Sequence, residues 1–359
     1  MGRVSRERGA VGYRILFVDL GAVWGGQEIY SLNLMSALRA KGHFVISVSS
    51  NDKHRCAADK FYTVDLAYTS FIGLSKLIKK LVVLYRIDVV HVNGNRAMYL
   101  AALLRLSARL VATKHLPFYS GDAKPLKQRL ARLASSVIFK LFDHIVCVAR
   151  ATFDDLPNGC KEFASVIPNG VPDKRSTVTN NRQGDDHVNM CYVARLVEHK
   201  GILPLMRGVI SAAERGANCH LSIAGDGPLR AEVELLVNAH PQLFCYNGFV
   251  LDPSNVYNQS DICCLPSLSE GMPLNILEAF SCGLPVLAVD ISGVNEVVND
   301  NNGWLLRDNS MMAIADEIMS ICQQTRSILQ KSKQARLDYE SCYSVELMAS
   351  RTLEVYSER

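Results

Sequence analysis

A chain of 359 residues is long enough for two domains of ordinary size, and a composition of 48% hydrophobic and 21% charged residues excludes a disordered or low-complexity protein. The net charge of +4 conceals a split: residues 1–172 carry 24 Lys and Arg against 12 Asp and Glu (+12), and residues 173–359 carry 15 against 23 (−8). Eleven cysteines, an odd number with no C-x-x-C pair, argue against a disulfide scaffold and against a cysteine metal site.

The first dozen residues, MGRVSRERGAVG, carry charge and glycine without an apolar stretch, so residues 1–12 read as a flexible tail and not as a signal peptide. No apolar run of about eighteen residues occurs anywhere, which predicts a cytoplasmic or peripheral protein. Strand-like runs then follow from Ile15 to Val18, Val45 to Ser49, Val89 to Val92, Leu110 to Thr113, His144 to Val148 and Val166 to Pro168, with helical patterns between them, such as Ile29 to Lys41 closed by Gly42. From Pro172 to His187 apolar residues almost vanish. This stretch reads as a linker between an N-terminal domain, 13–171, and a C-terminal domain, 188–343. Strands resume from Val188 to Val193, and a last helix runs from Ser344 to Ser357. The alternation predicts an α/β protein with two doubly wound parallel sheets.

Chemistry concentrates where these strands end. In the N-terminal half the first strand leads through Gly21 to Trp24-Gly25-Gly26-Gln27-Glu28, where glycines allow close approach of a phosphate or sugar. His115 follows one strand, and Asn93 and Asn95 lie at the loop after another, within reach of an acceptor. In the C-terminal half, Arg195 and Lys200 stand five residues apart in the loop after Val193, a planar fork and a point charge suited to phosphate oxygens. Ile223-Ala224-Gly225-Asp226-Gly227-Pro228 is another strand end opening into a glycine turn. Most informative is SEGMPLNILE, residues 269–278: strand, loop, helix and strand, with Glu270 in the loop, Glu278 in the helix and Pro273 suited to its first turn. Both carboxylates then lie at the carboxyl end of a parallel strand, the ligand side of open α/β sheets. Carboxylates there suit sugar or ribose hydroxyls, and the amides around Gly271 and Leu274 suit an anionic or hydroxyl-rich ligand.

Taken together and in this order, the GGxE turn (Gly25, Gly26, Glu28), RLxxxKG (Arg195, Lys200, Gly201), GDGP (225–228), the E-x7-E run, Gly283-Leu284-Pro285-Val286 and Pro168-Asn169-Gly170-Val171 resemble the GT-B glycosyltransferases of family 4. The resemblance spans about Tyr13 to Val355 and is stronger in the C-terminal half. Asn295 stands where that family usually has proline. It implies the GT-B fold, two Rossmann-like domains facing across a cleft, with residues 344–359 returning to the first domain. It further implies a retaining transfer from a UDP- or GDP-sugar to a lipid-linked saccharide in bacterial surface-polysaccharide synthesis (lipopolysaccharide, O-antigen or capsule). Arg195, Lys200, His115 and Glu270 would be catalytic. Glu278, Gly25, Gly26, Gly225, Asp226, Gly227, Gly271, Met272, Leu274 and Asn169 would bind the donor, with Glu278 on the ribose and Glu270 on the donor sugar. Retaining enzymes of this fold are thought to react on one face, the leaving phosphate taking the acceptor proton.

No Asp-x-Asp motif occurs, so no metal and no cofactor are expected, and protein cations replace the divalent ion. The basic half carries two amphipathic stretches, one from Leu74 to Arg86 and one from Lys124 to Phe142, which point to an anionic membrane surface as a partner. Their apolar residues, Leu77, Leu81 and Leu84 among them, are expected to pack on the core. No nucleic-acid module is present, and nucleic acid is not expected as a partner. A Rossmann oxidoreductase is disfavoured, because Gly21-Ala22-Val23-Trp24-Gly25-Gly26 lacks the G-x-G-x-x-G spacing. A non-catalytic nucleotide-sugar-binding or scaffold relative remains the alternative.

Overall fold

The computed structural model describes residues 12–21, 24–102, 104, 106–115, 135–175 and 187–358. The chain divides into two units: one gathers residues up to Val148, Thr152–Ile167 and from Met348 onward, the other Ala149–Ala151 and Pro168–Leu347. The stretch read as a linker and the second basic stretch fall largely outside the described residues.

In the first unit the described strands form one parallel sheet in the order β3-β2-β1-β4-β5-β6-β7. The strands are β1 (Arg14–Asp19), β2 (Phe44–Ser49), β3 (Lys60–Thr63), β4 (Val89–Asn93), β5 (Arg109–Lys114), β6 (His144–Cys147) and β7 (Ala164–Val166). Ile15, Leu16, Phe17 and Val18 of β1 are wholly buried, as a central parallel strand covered on both faces requires. Helices α1 (Gly26–Ala40), α2 (Phe71–Leu84) and α3 (Asn95–Ala102) follow β1, β3 and β4. Along α2, Leu74, Ile78, Leu81 and Val82 recur at helical spacing and pack into the core with Leu16, Ile46 and Val90. Leu77 is only partly buried, and Leu84, expected on the core, is 58% exposed. The helix ends there, and Ile87 beyond the Tyr85 cap fills the core in its place.

The second unit holds a parallel sheet in the order β10-β9-β8-β11-β12-β13. Its strands are β8 (Val188–Val193), β9 (Cys219–Ala224), β10 (Phe244–Tyr246), β11 (Ile262–Leu265), β12 (Val286–Val289) and β13 (Gly303–Leu306). Helices α4 (Ile202–Glu214), α5 (Arg230–Ala239), α6 (Leu274–Ser281), α7 (Met311–Gln323) and α8 (Arg326–Asp338) complete this layer structure, and α9 (Val345–Ser357) ends the chain. Pro273 caps α6 from just outside, one position earlier than expected. In each sheet the strand order reverses beside the first strand, between β1 and β4 and between β8 and β11. Those two crevices at the carboxyl edges are where doubly wound sheets bind ligands. Among the described residues no helix is long and apolar enough to cross a membrane.

Candidate active site

At the carboxyl edge of the second sheet, the β8 loop is strapped to its neighbours through the backbone. Leu196 N donates to Asp226 O (3.0 Å) and Leu268 N donates to His199 O (2.8 Å), tying the RLxxxKG loop to the GDGP turn and to the loop after β11. Gly201 sits at φ +74°, and a Cβ there would lie 2.2 Å from Pro266 O. Gly225 (φ +152°) is equally confined, a Cβ falling 1.9 Å from Ala194 O. Asn275 Nδ2 donates to Val193 O at 3.0 Å, fixing the start of α6 against the end of β8.

This strapping brings two of the residues singled out in the sequence into contact. Lys200 Nζ lies 2.5 Å from Glu270 Oε1, with side chains 19% and 9% exposed. An ammonium has three protons, so Glu270 leaves two for a ligand. Arg195 is exposed on the same loop, and its guanidinium makes no ion pair with a described residue. Glu278, in mid-α6, accepts from the buried Tyr257 hydroxyl (3.2 Å) and has Lys174 Nζ 3.8 Å from its other oxygen. Burial pushes the Glu278 carboxyl up from its ordinary pKa, against the opposing pull of Lys174. Lys174 also pairs with Asp252 at 3.0 Å.

Lys174, Asp252 and Tyr257 were not anticipated: Lys174 lies in the polar stretch read as a linker, and the other two belong to no motif. Met272 and Leu274 are buried. Asn169 is buried too: its Nδ2 donates to Met272 O (3.2 Å), and its Oδ1 has no partner among the described residues. Asp226 is exposed and accepts from Gly227 N at 2.8 Å.

The remaining candidates, Gly25, Gly26, His115, Asn93 and Asn95, belong to the first unit. Gly25 caps α1, its N–H donating to Glu28 Oε2 at 2.9 Å, so α1 begins at Gly26, three residues before the expected start. Burial and the neighbouring Asp19 charge raise the Glu28 pKa. The parallel register sets Asp19 beside Asn93 and Asn93 beside Thr113, with His115 two residues further on. Asn93 is buried, its Nδ2 within 2.8 Å of Asp19 Oδ2 and its Oδ1 2.6 Å from His115 Nε2. Both ends of the Asn93 amide are thus bonded inside the unit, which is a positioning role beside the acceptor contact expected of it. Asn95 is exposed at the start of α3. His115 is half-buried against Tyr30, and burial, then the Lys114 charge, holds its pKa down at about 3. His91 joins Thr113 Oγ1 (2.7 Å) and the Tyr356 hydroxyl (2.5 Å), a core histidine. Among the described residues no group of His, Cys, Asp and Glu is gathered as a metal site.

Two doubly wound parallel sheets, one carrying paired cations and carboxylates at its carboxyl edge, have the architecture of the GT-B glycosyltransferases. Sequence profiles agree: residues 24–175 match Glycosyltransferase Family 4 and residues 187–324 match Glycosyl transferases group 1. The chain belongs to the GT-B glycosyltransferases. It is 26% identical over 339 residues to an uncharacterized glycosyltransferase of Haemophilus influenzae, covering 90% of this chain and 93% of that one. It is 28% identical to the UDP-Gal:alpha-D-GlcNAc-diphosphoundecaprenol alpha-1,3-galactosyltransferase of Escherichia coli, over 70% of each chain. Its fold superposes on HepE of Anabaena in complex with UDP and glucose, with a TM-score of 0.77, 18% identity, and 96% and 99% of the two chains covered.

Proposed function

We propose that this protein is a retaining, metal-independent glycosyltransferase that moves a sugar from a nucleoside-diphosphate sugar to a lipid-linked saccharide in surface-polysaccharide synthesis. The observation that carries the reading is the Lys200–Glu270 pair beside the exposed Arg195 at the carboxyl edge of the second sheet. Breaking the bond from the anomeric carbon to a diphosphate builds negative charge on the β-phosphate while the sugar becomes oxocarbenium-like. Arg195 and the two remaining Lys200 protons stabilise that charge without a divalent ion or any cofactor. Glu270 Oε2, which takes no hydrogen bond from a described residue, accepts from donor-sugar hydroxyls, and Glu278 accepts from the ribose. At the edge of the first sheet His115 offers a neutral imidazole to a sugar hydroxyl.

The UDP in the HepE complex and the UDP-Gal donor of the E. coli relative support a UDP-sugar donor over a GDP-sugar. The diphosphoundecaprenol acceptor of that same relative supports a lipid-linked one. A lipid-borne acceptor places the enzyme peripherally at the cytoplasmic face of an anionic membrane. The exposed lysines Lys76, Lys79 and Lys80 on α2, beside exposed Phe71, Ile72 and Val83, suit that surface. The test is turnover of radiolabelled UDP- and GDP-sugars with a polyprenyl-diphosphate saccharide, the anomeric configuration of the product being read by NMR. Retention without added metal is the expected result. Inversion overturns the mechanism, and tight nucleotide-sugar binding without any turnover favours the scaffold alternative.

A further inference from the structure

The polar cluster at the end of β1 and β4 has a direction built into it. Asp19 Oδ2 accepts from Ser31 Oγ at 2.7 Å and from Asn93 Nδ2 at 2.8 Å, and Gln27 O accepts from the same Nδ2 at 2.9 Å. A carboxylate and a backbone carbonyl can only accept, so the Asn93 amide is turned with its NH2 toward both. Its Oδ1, which can also only accept, is left facing His115 Nε2 at 2.6 Å. The proton of that hydrogen bond therefore sits on His115 Nε2, and the neutral ring keeps its lone pair on Nδ1. No described residue bonds Nδ1. The ring plane is held by the edge of Tyr30, centroids 4.8 Å apart at 77°, and Tyr30 is itself bonded to Thr113 Oγ1 at 3.0 Å. The titratable groups around the ring are Asp19 from β1, Tyr30 from α1, His91 from β4 and Lys114 from its own strand.

We propose that Asp19 and Asn93 are positioning residues that fix His115 as its Nε2–H tautomer, so that Nδ1 meets the substrate as an acceptor for a sugar hydroxyl and turns away a phosphate oxygen. The hydroxyl half of this inference rests on the glycosyl transfer proposed above; the tautomer half does not. A lone pair directed at an anionic oxygen repels it, whereas a hydroxyl donates to it.

The experiment is 15N NMR on full-length protein labelled at histidine, with the His115 signals identified by their loss in His115→Gln. The wild type should show a protonated Nε2 and a bare Nδ1 from pH 5 to pH 8. Asn93→Ala, and the isosteric Asn93→Asp as a variant that leaves no cavity, should mix the tautomers or protonate the ring within that range. Both should lower kcat/KM about 3- to 10-fold, the size of one neutral hydrogen bond, with the Kd for UDP unchanged. A wild-type His115 with its proton on Nδ1, or charged at pH 7, overturns the proposal. So does an Asn93 variant that is unchanged in both tautomer and kcat/KM. Because the spectrum needs no substrate, a fixed tautomer in a protein without turnover would sink the glycosyl-transfer reading and leave the positioning role intact.

Discussion

Lys200 Nζ and Glu270 Oε1 lie 2.5 Å apart, joining the loop after β8 to the loop after β11 across the point where the strand order reverses. Both side chains are largely out of water, so the pair is held by position as much as by charge. Removing one partner strands the other in a low-dielectric crevice, which costs more than the pair contributes. The same arrangement keeps Glu270 from repelling an incoming diphosphate, because its charge is already matched.

Replacing Lys200 or Arg195 with Ala should therefore lower kcat by about 10² to 10³, the magnitude seen for a lost oxyanion-stabilising donor. Lys200→Ala should also destabilise the free protein, through the stranded Glu270, whereas Arg195→Ala should leave thermal stability unchanged because Arg195 is exposed and unpaired among the described residues. Steady-state kinetics with thermal melts of both variants check this. Near-normal turnover in both removes the assignment.

Activity should persist in EDTA. Arg195 and Lys200 supply the charge that a divalent ion supplies in metal-dependent transferases. Loss of turnover in chelator, restored by Mn²⁺ or Mg²⁺, would show that the cations have been given the wrong task.

The central strands were legible in the sequence because each is buried on both faces and reads as a continuous apolar run. The edges were not. β3 (Lys60–Thr63), β10 (Phe244–Tyr246) and β13 (Gly303–Leu306) carry half-exposed residues without that signal, and β7 lies two residues before its expected place. Arg195, Lys200, Glu270 and Glu278 could be singled out as candidates because each motif follows a strand, and strand ends converge in a parallel sheet. Lys174, Asp252 and Tyr257 reach Glu278 from segments far apart in sequence and without periodicity, so only the fold brings them in. Asn93 and His115 stood out one at a time. The register of β1, β4 and β5 is what joins them to Asp19.

Glu278 should trade stability for binding. Burial raises its pKa in the folded state, so the fold prefers the protonated form and loses stability as pH rises from the ordinary glutamate range through that raised value. Glu278→Gln should thus raise the melting temperature of the free protein at pH 7.5, with the gain fading as pH falls toward 4.5, where the wild-type carboxyl takes up its proton. Lys174 is not stranded by the change, since it keeps Asp252 at 3.0 Å. The same variant should weaken UDP binding by about 1.5–3 kcal/mol, the worth of hydrogen bonds to a charged group. Calorimetry against UDP, with melts at pH 7.5 and pH 5, separates the two effects. A variant less stable at pH 7.5 would show that Tyr257 and Lys174 outweigh the burial of the charge.

Membrane attachment should come from α2 and should depend on salt. Its outer stripe runs Ile72, Lys76, Lys79, Lys80 and Val83, successive turns of one helical face, while Leu74, Ile78 and Leu81 hold the opposite face on the core. Each lysine near an anionic surface contributes about 1 kcal/mol, and that attraction is screened beyond about 10 Å at 0.1 M salt. Ile72 at 67% and Val83 at 76% exposure add an apolar contribution that salt does not screen. Lys76→Glu, Lys79→Glu and Lys80→Glu together should release the protein from anionic vesicles in low salt, and Ile72→Ser with Val83→Ser should weaken what binding remains at high salt. Neither set touches the core face, so melting temperature and UDP affinity should stay at wild-type values. Co-sedimentation with anionic and neutral vesicles over a salt series measures both contributions. Equal binding to the two vesicle types, unmoved by salt, would assign the lysines to phosphates of the acceptor and leave α2 no part at the membrane.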